Sequence, residues 1–229
     1  MRQARGEAPE AKAALSELCE AYYNPVLRFL LREGKDGDQA RELTQAFFNS
    51  ILSRNNIQLA EPGKGRFRSY LLGALKHFLA DLRRHQSRQK RGGDAQHQSL
   101  DETSSEGIPD LQISDPSSTV PDSYFDREWA LALIDRSLKT IEASFAKKQK
   151  LGHFETLKPW LTGDADTFSQ AEAATTLRLS PGAIKVAIHR LRQDFNQSVR
   201  AEIAQIVTSP DEINDELNYL IQTLSSGKF

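Results

Sequence analysis

A chain of 229 residues with a formal net charge of −1 fits one large domain or two small ones. Its one cysteine, Cys19, excludes an internal disulfide and a thiolate metal site and suits a reducing cytoplasm. The plain reading of Cys19 is a buried thiol on a helix face. Met1 to Lys12 is polar with no apolar centre, and no stretch approaches the roughly 20 apolar residues of a membrane span, so neither a signal peptide nor membrane insertion is expected.

Residues 13–91 are apolar-periodic and turn basic toward their end. Leu15, Leu18, Tyr22, Val26 and Phe29 recur at helical steps, with Pro25 expected to bend or interrupt the run. Leu43, Phe47 and Ile51 share a second stripe, which Phe48 and Leu52 widen, and Asp36 or Asp38 is placed to cap that helix. A third helix carries Phe67, Leu71, Ala74, Leu75, Phe78 and Leu82 on one face. Residues 66–91 also hold eight Lys or Arg against one acid, Asp81, so this helix joins an apolar face to a cationic remainder that attracts phosphate. Phe67 and Phe78 lie on the apolar stripe and read as core. Tyr70 and His77 lie nearer its edge and are the better candidates for stacking on an unpaired base.

Residues 92–123 are rich in Ser, Asp, Gly and Pro and show no sustained period, the composition of a flexible linker. From Gly92 to Asp126 there are eight acids and no Lys or Arg. Two readings stand: a solvated tether kept in solution by its charge, or a segment that lies in a basic channel normally occupied by nucleic acid.

Periodicity resumes at 124. Trp129, Leu133 and Ile141 line a helix over about 125–147, which Leu131, Ile134 and Leu138 broaden, and a short segment around Phe154–Leu161 follows. Ser169 and Glu172 form a capping box for a short helix ending at Leu177. Arg178, Leu179 and Ser180 make a three-residue turn, Ser180 caps a second helix, and Pro181 takes its first position. Ala173 and Leu177 can then face Ile184, Ile188 and Leu191, which is the packing of a helix-turn-helix. The outer face of the second helix carries Gly182, Lys185, Val186, His189, Arg190, Arg192 and Gln193. The first turns of such a helix reach base edges; Gly182 and Ala183 allow close approach, and the cations neutralise phosphate or reach guanine. His189 reads equally as a solvated surface residue. Residues 208–229 form an extension: Ser209, Pro210 and Glu212 start a helix with Ile213, Leu217, Leu220 and Leu224 on one stripe and Asp211, Glu212, Asp215 and Glu216 opposite. It either packs on the last domain or folds over a basic DNA-reading surface. No strand alternation is found, so the fold class is all-α: two small helical domains joined by a flexible acidic linker, the second containing a helix-turn-helix.

The order of these parts resembles the extracytoplasmic function (ECF) sigma factors, small two-domain members of the main bacterial sigma family, over roughly residues 14–205. RELTQAFFNSIL (41–52) is similar to the family's polymerase-binding helix, GRFRSYLLGALKHFLADLRRHQSRQKRGG (65–93) to its minus-ten-reading and melting helix, and SQAEAATTLRLSPGAIKVAIHRLR (169–192) to its minus-thirty-five-reading module. The resemblance implies that Glu42 and Gln45 meet the polymerase. It implies that Lys76, His77, Arg83 and Arg84 contact and open the minus-ten DNA; Arg68 and Tyr70 join that set as a cation and an aromatic of the same helix. Ser180, Gly182, Lys185, Val186, His189, Arg190 and Arg192 are the candidates for the upstream element. The implied domains are 13–91 for docking and minus-ten recognition, 92–123 as linker, and 124–207 for the upstream element, with 208–229 an addition to the minimal pattern. Three departures stand out: His77 where many members carry asparagine, Arg178 for the usual turn glycine, and the acidic tail.

The expected protein is therefore a sigma factor that binds core RNA polymerase and directs it to promoter DNA in the cytoplasm. It needs no cofactor or metal, and an anti-sigma or other regulatory protein is a further partner. The rival is a stand-alone helix-turn-helix regulator, which accounts for residues 168–195 but leaves the basic helix and the acidic linker without a role. No P-loop, metal-spaced His/Cys cluster or nucleophile motif is present, so an enzyme is not expected.

Overall fold

In the computed structural model the described residues are 9–53, 67–91, 122–163, 169–207 and 209–225. They form nine helices and no strand: α1 (Pro9–Arg32), α2 (Gly37–Ser53), α3 (Phe67–Arg91), α4 (Asp122–Lys147), α5 (Leu151–Leu157), α6 (Pro159–Thr162), α7 (Gln170–Leu177), α8 (Pro181–Ile206) and α9 (Glu212–Ser225). The all-α expectation holds. The chain divides into two compact units, Met1–Trp129 and Ala130–Phe229. Residues 92–121, most of the expected linker, lie outside the described residues.

The first unit is built on α1, α2, α3 and the first turns of α4. α1 runs through Pro25 as one helix, so of the bend or interruption expected there the interruption does not occur. An internal proline costs about 3 kcal/mol. Tyr22, Val26, Phe29 and Leu30 on the same helix are each at most 1% exposed, and their burial offsets that cost. α1 and α2 pack where Ala40 and Thr44 keep the second helix slim; the Thr44 hydroxyl donates to the Ala40 carbonyl at 2.7 Å and so carries no unmet polar group into the core. Of the two residues placed to cap α2, Asp36 is the one that does so: its carboxylate accepts from the amides of Asp38 at 3.0 Å and Gln39 at 2.9 Å. Asp38 instead pairs with Arg41.

α3 is buried more broadly than its apolar stripe suggests. Phe67, Leu71 and Leu75 are core as expected, but Tyr70, Leu72 and Leu79 join them, and so do the cations Arg68 and Lys76. Ala74, Phe78 and Leu82 are half-buried. For the two cations the reason lies in α4, whose Asp126, Trp129 and Asp122 meet them; its Phe125 and Trp129 are buried in this unit, with Phe125 edge-on to Phe29 at 6.0 Å between ring centroids.

In the second unit a core of Ile141, Phe154, Leu157, Ala173, Ile184 and Ile188, among others, joins α4, α5, α7 and α8. Ser198 donates to the Ser137 carbonyl at 3.2 Å, and Arg136 pairs with Glu202 at 2.8 Å, which fixes the later turns of α8 against α4. α9 packs on α8, with Leu220 buried and Arg200 donating to Asn214 at 2.9 Å. It starts later than expected: Pro210 and Asp211 form a turn, the Ser209 hydroxyl accepts from Asp211, and the helix begins at Glu212. Glu216, expected on the acidic outer side, is buried.

Candidate nucleic-acid interface

α7, a three-residue turn and α8 form the best-defined surface of the second unit. Ser169 accepts from the Ala171 amide at 3.2 Å, one residue earlier than the capping box predicts. α7 ends at Leu177, and its C-cap Arg178 is left-handed at φ 52° and ψ 43°, a conformation that glycine adopts more readily. Ser180 is extended, and its hydroxyl accepts from the Ala183 amide at 3.2 Å; Pro181 opens α8 without losing a donor that the helix would use. Ile184, Ile188 and Leu191 point into the core with Ala173 and Ala174. The two helices are thus locked by their caps and by one apolar seam.

That seam fixes the opposite face. Gly182, Lys185, Val186, His189 and Arg190 are all exposed, as is the capping Ser180. Lys185 and Arg190 put two cations on the first three turns. Arg192 is exposed as well, and its guanidinium also donates to the Trp160 carbonyl at 3.3–3.4 Å, which braces α6 against α8. Beside it, His189, Arg192, Gln193, Asn196 and Gln197 line a shallow open recess.

In the first unit the expected minus-ten set separates into two groups. Arg68 is 3% exposed; its Nε lies 3.0 Å from the Asp126 carboxylate, and its guanidinium carbon lies 4.9 Å from the centre of the Trp129 ring. Lys76 is buried and pairs with Asp122. Tyr70 is buried, stacks on Phe67 at 6.2 Å, and has its phenol pushed upward in pKa by that burial. These three are corrected from an open DNA-facing surface to interior positions: Asp126, Asp122 and the Trp129 ring at the start of α4 cover Arg68 and Lys76, whereas Tyr70, on another side of α3, is buried against Phe67. Arg28 contributes to the same junction through Glu128 at 3.2 Å. Counting the acids to Asp126 as one solvated run conceals this; a signal is there, since Asp122 and Asp126 are one helical turn apart and flank Phe125.

The second group is accessible. Arg84 is exposed, with a water-facing Asp81 at 3.5 Å. His77 and Arg83 are half-exposed, and Arg83 lies 3.7 Å from Glu33. On α2, burial of Ala40, Thr44, Phe47 and Ile51 leaves Glu42 and Gln45 exposed on the outward side, three residues apart. Among the described residues no group of three or more His, Cys, Asp or Glu is placed to hold a metal ion. No described helix is long and apolar enough to cross a membrane.

No curated protein and no solved structure matches the chain. The ECF sigma factor family matches residues 10–201, which takes in α1 through most of α8. With a match over more than half its length, the chain belongs to the ECF sigma factor family: transcription initiation factors, not enzymes, that direct RNA polymerase to promoters.

Proposed function

We propose that the two units divide promoter recognition between them. Glu42 and Gln45 on α2 face core RNA polymerase. His77, Arg83 and Arg84 on α3 meet the minus-ten strand, whereas Arg68, Tyr70 and Lys76 hold α3 in position from within. Ser180, Gly182, Lys185, Val186, His189 and Arg190 on α8 read the upstream element as duplex in a helix-turn-helix, and Arg192 orients that helix through Trp160. In this reading the domains are 13–91 and 124–207 on either side of an acidic linker over 92–123, with the first turns of α4 serving the first unit and 208–229 extending the second. Core polymerase and promoter DNA are the partners, in the cytoplasm. An anti-sigma or other regulatory protein is the further partner that membership of the family implies.

The observation that carries this reading is the first half of α8: a helix capped by Ser180, whose outer face is small, cationic or hydrogen-bonding, and whose apolar residues are turned inward except Pro181 at its first position and Val186. A polymerase–factor footprint over promoters of known start site tests it. Lys185→Ala and Arg190→Ala each reduce protection of the upstream element and lower the salt dependence of binding by about one counterion for each phosphate that is no longer neutralised. Protection unchanged in both variants would assign recognition of the upstream element to another surface.

A further inference from the structure

α8 carries a glycine that its own fold does not require. Gly182 is helical, the left-handed glycines among the described residues being Gly34 and Gly163, and a Cβ built on Gly182 meets nothing within 4 Å. Glycine is also the poorest helix former after proline. Neither backbone conformation nor packing inside this chain accounts for it.

Val186 stands four residues on, on the same face, and is 50% exposed. It is the apolar residue of the outer face and, being β-branched, is a weak helix former as well. A helical side chain leans toward the N-terminus, so the isopropyl group of Val186 lies over the turn that Gly182 occupies. Because Gly182 has no side chain, that flank of Val186 stays bare. Together they make a small apolar shelf, with Lys185, His189 and Arg190 around it.

We propose that this shelf receives the 5-methyl group of one thymine in the major groove of the upstream element. The proposal rests on the reading of α8 as the duplex-reading helix. Among the groups a base pair presents in the major groove, the thymine methyl is the apolar one; the others are hydrogen-bond donors and acceptors that a valine cannot satisfy. The neighbouring cations favour a phosphate-bearing partner over an apolar protein surface. Gly182 supplies the depth that lets a base edge come close to the helix.

The test uses the factor with core RNA polymerase and a promoter selected by that holoenzyme from a random-sequence library. Each thymine of the selected upstream element is replaced in turn by deoxyuridine, which removes only the methyl group. At one position the wild-type complex binds about four-fold more weakly, the effect of one buried methyl. Val186→Ala abolishes the difference between thymine and deoxyuridine there. Gly182→Leu, a good helix former that fills the flank of the shelf, abolishes it too, and thermal unfolding confirms that both variants are folded. If no position is methyl-sensitive, or if Val186→Ala keeps the full sensitivity, the shelf is overturned while the reading of α8 stands. If the wild-type holoenzyme selects no upstream element, the reading of α8 fails and takes the shelf with it.

Discussion

Arg68 shows how a cation of a nucleic-acid-binding helix can be structural. Its guanidinium lies between the Asp126 carboxylate and the Trp129 ring at 3% exposure, where it cannot reach phosphate. Removing it takes an ion-pair partner from a carboxylate that keeps 17% of its surface, so the cost falls near the low end for a broken buried pair. Arg68→Met is expected to lose about 3 kcal/mol in urea unfolding, and Arg68→Met with Asp126→Leu to recover much of it. Lost transcription at unchanged stability would instead make Arg68 a DNA contact. Arg178 holds a left-handed backbone at φ 52°, so Arg178→Gly should gain roughly 0.5–1 kcal/mol, read as a rise in the second unit's melting temperature. Cys19 has its thiol pushed up to about 11, first by burial and then by the charge of Glu20. Its thiolate is therefore scarce at pH 8, and alkylation by iodoacetamide should be on the order of a hundred-fold slower than in the unfolded chain. The sign of the linkage follows: the thiol's contribution to stability is whole below the unfolded pKa of about 8.5 and declines as pH rises toward 11. Cys19→Ser should flatten that decline in stability measured between pH 8 and 11.

At the scale of elements, the first turns of α4 depart furthest from what local pattern suggests. Trp129, 1% exposed, and Phe125, wholly buried, belong to the first unit's core. Trp129→Ala should cost about 3–5 kcal/mol and speed amide exchange in α1 and α3 together. Unchanged exchange in α3 would mean these turns are only a connection. Most helices are legible in the sequence because their apolar residues repeat locally: Leu43, Phe47 and Ile51 announce α2, and Ser180 with Pro181 announces α8. The burial of Arg68 and Lys76 is not legible, because period finds faces that are apolar. A cation covered by an acid 46 or 58 residues away leaves no periodic trace. Arg192 is exposed on the outer face as its position suggests, but its hydrogen bond back to the Trp160 carbonyl, 32 residues away, is not legible either. At Pro25 the local cost of proline is visible in the sequence, whereas the burial that offsets it is not.

For the whole molecule, a net charge of −1 conceals a strong separation of sign along the chain: cationic over 66–91, anionic over 92–126, and cationic again on the outer face of α8. A free-standing DNA regulator would use the last of these alone. A promoter-directing subunit uses the first and last on DNA and needs the polymerase to bring both into play, with the acids at the start of α4 already engaged by α3. The most direct test adds the purified chain to core RNA polymerase with a random promoter library and sequences the transcripts. The expected result is a set of discrete start sites that appear only when the chain is present, preceded by two shared elements at fixed spacing. Specific duplex binding by the chain alone, with no start site that depends on it, would contradict the assignment.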